Sequence, residues 1–574
     1  MNRNVFFLCV ACATTLGLST ARGDTAPIDV LLRSGTQAPN TESGALFANF
    51  SAPVTNDPGT YAFAATLSTT SVNKTGIWIG TPGNWRLLVR EGQAMPSNLG
   101  ALQRVDRAAI ALSNGDIVTF AARAGTGAGK LAIFRLTRAG AVTVVAFTGQ
   151  QAPGLPAGVT FRDLGEPVIN ASGQIAFNAS LQGTGITDAN QGSAWLYSGG
   201  ILRTVVKGGD GLIVSQPSTT VRDLLSPIIN NNSRLAFGGV VQGPLVSPWN
   251  DSARWISTNW TPSIQTFGGT LVGIPGEGGD QTTLQIRRVL PGMHRMNSSG
   301  TVAFFADHED WLSPSKFTHG IWTTTTSGIK PVAHKGVPVT ALGEPVTFAS
   351  YSSVVIDAVN QVHFKATIVG PNVTARNDHA FFTARNNGTI VQRVRGNDAA
   401  PGVPLRRMRE IAPAAACGPN GELFLVAPMA AATPGLTFER VLFTSYPTGE
   451  MSKVVATGDT LTVAPGVSRV VSGIPNFWAG TNQDGQPSAI NASGSLVFRL
   501  EFSDGTSALC RNVLRPVCPG DFDGSRIVDD FDFTRFAEYF ESLAPGPGDL
   551  DRNGVTDDGD FVIFAGAYSK LTCP

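Results

Sequence analysis

The sequence predicts an all-β fold of eight four-stranded blades with a small helical unit appended, and three observations predict it. A phrase of the form N-x-x-G followed by an alternating apolar stretch returns eight times, roughly sixty residues apart. Glycine and proline are abundant, at 65 and 36 residues, as short strands joined by tight turns require. The two ends of the repeat region are also complementary, because the first unit begins with a last strand and the last unit lacks one.

The clearest copies are "INASGQIAF" from Ile169 and "INASGSLVF" from Ile490. The others start at Thr55, Leu112, Ile229, Met296, Ile356 and Cys417. An Asn or Asp side chain bonds backbone N–H groups two residues on, and Gly accepts positive φ, so N-x-x-G makes a turn. The strand after it alternates, with Ile175 and Phe177 on one face and small Ala176 on the other, where a neighbouring sheet approaches. A third strand carries one aromatic per unit: Trp78, Phe134, Trp195, Trp255, Trp322, Phe382 and Phe443, with Cys510 in the eighth slot. These are expected to pack between blades. A fourth phrase is apolar and then glycine, as in "LLVREGQAMP" and "VVAFTGQQAPG".

Four-stranded sheets repeated radially make a β-propeller. "IDVLLRSGTQAP" from Ile28 is a fourth-strand phrase with nothing before it, and the unit ending near Cys510 has no fourth strand. The N-terminal strand is therefore expected to complete the last blade and hide two sheet edges. Eight blades are expected, or seven if one degenerate copy is not a blade. An open row of β-repeats fits less well, since its repeats are shorter and need no complementary ends.

Residues 1–23 set a basic start before an apolar run and end in small residues, the layout of a secretory signal peptide. No later segment approaches about 20 unbroken apolar residues, so no transmembrane segment is expected in the mature chain. The chain is expected to be secreted or associated with the cell surface. Charged residues are 15% and the formal net charge is +0, against about 25% charged in an average protein. No general basic character points to nucleic acid.

After the propeller, 24–514, the language changes. Two twelve-residue loops lie within 518–574. In the second, Asp549, Asp551, Asn553, Asp557 and Asp560 hold positions 1, 3, 5, 9 and 12, with the Val555 carbonyl at 7 and Gly554 at the turn. The first places Asp521, Asp523, Ser525, Asp529 and Asp532 similarly, with Ile527 at 7, but Arg526 replaces the glycine. Hard oxygen donors at these spacings suit Ca²⁺. Each loop runs into a short amphipathic helix. This duplicated loop–helix pattern resembles a dockerin, with Asp where an EF-hand has Glu at position 12. The resemblance implies calcium-dependent folding and docking to a cell-surface or extracellular protein partner. Positions 10 and 11 are Asp530–Phe531 and Asp558–Gly559, not the paired hydroxyl residues of cellulosomal dockerins, so a cohesin of that kind is not expected. The whole mature chain is similar to bacterial exported proteins with tandem N-x-x-G-x-x-A-F repeats and a Cys-bracketed, GC-type dockerin segment.

Four cysteines follow the signal, and an even number in an exported chain suggests two disulfides. Cys518 and Cys573 bracket the helical module, and bridging them would contribute roughly 4 kcal/mol in the chain-entropy model. Cys417 and Cys510 would then pair within the last two blades.

Two sets of residues are candidates for chemistry. His308, Glu309, Asp310 and His319, in "FADHEDWLSPSKFTHGIW", carry acid–base or metal-binding groups, although a solvated loop explains them as well. Arg162, Arg222, Arg287 and Arg406 open the first strand of four units at what reads as one position, with Arg104 offset by one. In a propeller these strands line the channel, so the guanidinium groups would suit the carboxylates or sulfates of an acidic polysaccharide. The plainer expectation is pairing with Asp163, Asp223 and their neighbours. The leading reading is an exported, non-enzymatic binding or scaffold protein anchored by its calcium module. A glycan hydrolase or lyase is the alternative, and a structural matrix component the third reading.

Overall fold

The computed structural model describes residues 28–211, 218–248, 250–258, 261–267, 270–275, 281–310, 313–325, 328–339, 342, 344–403, 406–411, 415–418, 421–429, 439–445, 451–513, 520, 528–542, 548, 550 and 555–569. The chain forms an eight-bladed β-propeller with two short C-terminal helices. The third blade shows the plan. Its innermost strand comes in two pieces, Thr160–Leu164 and Val168–Ile169, followed outward by Ile175–Gln182, Gly192–Ser198 and Ile201–Lys207, all antiparallel. In the eighth blade the outermost position is held by Ile28–Arg33, which pairs antiparallel with Ser507–Val513.

The repeated residues do what their pattern predicts. Phe177 lies opposite Trp195 in the ladder, and both are fully buried with Phe161 between the second and third blades. Ala176 faces the other way into the cluster shared with the fourth blade. One such cluster lies between each pair of neighbouring blades, including one that joins Leu31, Val497 and Leu509 to Phe47, Phe63 and Trp78. A buried Trp or Phe contributes roughly 1.5–3 kcal/mol or more by area, so these seams are the main cohesion of the ring.

The phrase's asparagine has a second task. Asn230 Oδ1 accepts from Arg234 N at 2.8 Å, which closes its own turn. Its Nδ2 donates at 3.0 Å to the backbone oxygen of Asn297, the same position one blade on. Asn56 reaches Ser113 O, Asn170 reaches Asn230 O, Asn297 reaches Asp357 O and Asn491 reaches Asn56 O in the same way. The Asp357 side chain, a carboxylate, has no N–H to give across the seam. There Arg393 crosses instead, donating to Gly421 O at 3.2 Å and Ser445 O at 2.6 Å of the seventh blade.

The expected bridge between Cys417 and Cys510 is absent; both are buried free thiols. Cys417 ends the innermost strand of the seventh blade, packed toward the sixth. Cys510 lies opposite Phe498 on the third strand of the eighth, packed toward the seventh. They belong to different seams. Cys518 and Cys573, like residues 1–23, lie outside the described residues. Among the described residues no helix is long and apolar enough to cross a membrane.

Candidate binding face of the channel

The inner edge of an innermost strand has backbone groups with no ladder partner, and they need one from elsewhere. At the N-x-x-G end of the channel the chain itself supplies partners. In the eighth blade the innermost strand breaks after Val467–Gly473, and the chain crosses the channel before returning at Ile490. On the way Gly480 N donates to Ala415 O at 3.1 Å and Gly480 O accepts from Cys417 N at 2.9 Å. Asp484 O accepts from Ile229 N, Gly485 O from Ile169 N, and Ser488 O from Thr55 N, at 2.8–3.0 Å. Ser298 N donates to Gln483 Oε1 at 2.9 Å, and Arg295 meets buried Asp484 at 3.3 Å. The first, third, fourth, fifth and seventh blades are thus tied to one plug.

The opposite end is built from bulges. In the third blade Phe161 pairs with Leu181 and Asp163 with Ser180, so the ladder skips Arg162. It skips Arg222 in the fourth blade, Arg287 in the fifth, and Ala48, Ala349 and Ser472 in the first, sixth and eighth. A bulge re-aims its residue off the sheet. Arg162 and Arg222 are exposed and make no ion pair among the described residues. Their neighbours are engaged locally, Asp163 accepting from Leu164 N and Asp223 from Leu224 N, each at 2.9 Å. The expected pairing of these arginines with Asp163 and Asp223 is therefore not seen. Arg287 differs, since it is tied to buried Glu309. Arg104 pairs with Asp106 at 2.7 Å. Met408 bridges Met429 as Phe161 pairs with Leu181, so the register places Arg409, not Arg406, at the arginine position of the seventh blade.

The histidine cluster of the fifth blade is not a solvated loop. It lies on the hairpin of strands Val302–Asp310 and Ser313–Thr325. Alternation sends His308 and Glu309 to opposite faces. His308 is buried between Trp322 and His334, and its Nε2 meets Thr318 Oγ1 at 2.8 Å. Burial, with His334 adding to it, pushes its pKa down to about 3. Glu309 faces Arg287, while His319 pairs with Asp307. The four candidates do not converge on one reacting point; of Asp310, only the backbone pairing with Ser313 is described.

In the helical module α1 (Asp530–Ser542) and α2 (Asp558–Tyr568) pack through Phe536 and Phe564, stacked at 4.8 Å. Both loops end alike. Asp557 Oδ1 accepts from Gly559 N and Asp560 Oδ2 from Asp557 N, both at 2.8 Å. Asp529 and Asp532 repeat this at 2.9 and 3.1 Å. Asp532 and Asp560 are fully buried, and two buried carboxylates in so small a module fit a hard cation as counter-charge. Val555 is described as well. Asp521, Asp523, Ser525, Ile527, Asp549, Asp551 and Asn553 lie outside the described residues.

Sequence reasoning missed the plug and a second set of inter-blade donors. Asn178, Lys365 and Arg499 follow the repeat's phenylalanine and donate to Leu224 O, Ile411 O and Phe50 O of the next blade. The plug did leave a signal. Eight positions separate Arg162 from Asn170, but nineteen separate Ser472 from Asn491.

Residues 13–225 and 215–510 match DUF7453, a family of unknown function. The chain belongs to the DUF7453 family. No curated protein matches this DUF7453 chain. Among solved structures it is similar to the β-propeller domain of the Trilobed protease from Pyrococcus furiosus, at 10% identity over 72% of this chain and 99% of that one, with a TM-score of 0.36. It is also similar to the polysaccharide lyase Uly1, at 9% identity over 74% and 95%, with a TM-score of 0.35. The PL25 ulvan lyase matches at 10% over 71% and 92%, with a TM-score of 0.29. Likeness this low says nothing of chemistry.

Proposed function

We propose that the protein is an exported binding protein whose propeller holds an acidic glycan at the bulge end of its channel. The observation that supports this reading is the asymmetry of the channel: one end is filled by residues 474–488, while the other presents Arg162 and Arg222, exposed on adjacent blades and without an ion pair among the described residues. Guanidinium groups on two neighbouring bulges suit a polymer that repeats its carboxylates or sulfates. The pairing of Ile28–Arg33 with Ser507–Val513 is read as the clasp that closes the ring. The C-terminal module is read as a dockerin-like anchor, folded around Ca²⁺ held by the loop carboxylates, that docks to a protein partner at the cell surface. Calcium supplies charge compensation there; capping the two helices falls to Asp529, Asp532, Asp557 and Asp560.

The test is a screen of the calcium-loaded protein against immobilised acidic and neutral polysaccharides, with retention and product release recorded together. Retention on acidic polymers without product is expected. Release of reducing or unsaturated ends would replace this reading with the hydrolase or lyase alternative. Silence in both channels would leave only a matrix role.

A further inference from the structure

A cleft of about 450 Å³ opens to solvent between the first and second blades. Asn73, Glu91 and Gly92 line it from the first blade, and Leu102, Arg104 and Arg123 from the second. Its volume falls within the ~300–1,000 Å³ of small-molecule sites. Leu102 bridges Ala124 as Phe161 pairs with Leu181, so the cleft lies at the bulge end of the ring, one blade from Arg162.

Charges of opposite sign line this cleft without meeting. Glu91 follows the strand Asn84–Arg90. Its Oε2 accepts from Lys74 N and Thr75 N, each at 3.1 Å, and from Thr75 Oγ1 at 3.0 Å, which leaves Oε1 without a donor among the described residues. Arg123, on Ile117–Ala124, donates through Nη1 to Ala128 O at 3.1 Å within its own blade. Arg104 is held by Asp106 through Nε and Nη2. Among the described residues no ion pair joins Glu91 to either arginine. Local bonds thus hold each group in its own blade, an arrangement set before any ligand arrives. Beside them the Asn73 amide lies flat against Gly92, where a Cβ would stand 2.3 Å from its Nδ2, and it makes no hydrogen bond among the described residues.

The pair of charges is particular to this seam. The ladder register aligns Arg123 with Thr66, Ser180, Val240, Asp307, Thr367 and Glu501, none of them a cation. No other blade carries an acid at the place of Glu91. Guanidinium groups suit a carboxylate, while a free carboxylate oxygen and an amide suit hydroxyl groups. A sugar acid presents both on one small ring. An ammonium ligand fits less well, because the Glu91 carboxylate already accepts three hydrogen bonds. We infer that this cleft is a subsite for a single uronate unit, its carboxylate met by Arg123 and Arg104 and its hydroxyls by Glu91 and Asn73. The inference rests on the reading of the bulge end as a glycan-binding face, and it adds the class of sugar.

Ligand-observed NMR titration of the full chain with D-glucuronate and with D-glucose, at fixed ionic strength, tests it. Saturable binding of glucuronate is expected, at least about tenfold tighter than that of glucose, since only the acid engages the guanidinium groups. Arg123→Gln should weaken glucuronate binding by about tenfold. Asn73→Ala, which leaves the backbone bonds of that turn in place, should weaken it several-fold and serves if the arginine variant does not fold. Glucuronate bound no better than glucose, or bound equally by wild type and a folded variant, overturns the inference. Retention on acidic polymers without glucuronate binding would overturn the subsite and leave the proposed function standing. Glucuronate binding without retention on any polymer would support the subsite and remove the polymer reading.

Discussion

Asn230 carries two jobs with one side chain, and the size of each is open to measurement. Its Oδ1 fixes the turn and its Nδ2 crosses to Asn297 O, both fully buried. Truncation leaves Arg234 N and Asn297 O without that partner, at roughly 1–3 kcal/mol for each unsatisfied group. Asn230→Ala is therefore expected to lower stability by about 2–4 kcal/mol in denaturant titration, and Asn230→Asp, which keeps the acceptor alone, by about half of that. The acceptor half was legible in the sequence, because an Asx turn is local. The donor half was not, since a bond to a residue about sixty positions away depends on how the blades meet. The same limit explains the arginines. The spelling "LRRM" suggested Arg406, but register is decided by pairing, and pairing selected Arg409.

At the scale of elements, the plug is the feature that most changes what the channel can hold. Gly485 sits at φ +76°, and a Cβ there would lie 2.8 Å from Ile229 O and 3.1 Å from Ile169 O. Both atoms are backbone and cannot step aside. Gly485→Val is expected to cost about 1–3 kcal/mol through strain, read as a lower melting temperature of the propeller. The strands were legible because their period of two and their turns are written in each copy. An insertion inside an innermost strand has no period, so only its length betrayed it. The helical module makes a separate prediction. Removing Ca²⁺ with a chelator should abolish its far-ultraviolet helical signal, through α1 and α2, while the β signal of the propeller stays. Loss of neither would count against the metal reading. Its helices were visible as amphipathic runs, while the Asp residues at positions 9 and 12, read in the sequence as calcium ligands alone, also cap the helices in the structure.

For the whole molecule, acid is the condition that searches the seams. His294, His308, His334 and His363 all have pKa values held below the usual 6.5, burial being the first cause in each. On acidification the unfolded chain takes these protons before the folded one does. Stability is therefore fully present above about pH 6.5 and declines as pH falls from there toward 3, the value for His308. A melting temperature measured from pH 7 to 4 should fall steadily, and His308→Gln should flatten part of that slope. None of this was legible from six histidines in a row of letters, because burial belongs to the fold.

The central claim remains that the bulge end of the ring binds an acidic polymer through arginines on adjacent blades. Titration calorimetry of a sulfated or carboxylated polysaccharide into wild type and into the Arg162→Gln/Arg222→Gln double variant tests it most directly. The account predicts at least about a tenfold loss of affinity, some 1.4 kcal/mol, with an unchanged melting temperature, since among the described residues neither arginine pairs with a carboxylate. Equal affinity in the two proteins, or unfolding of the variant, would contradict it.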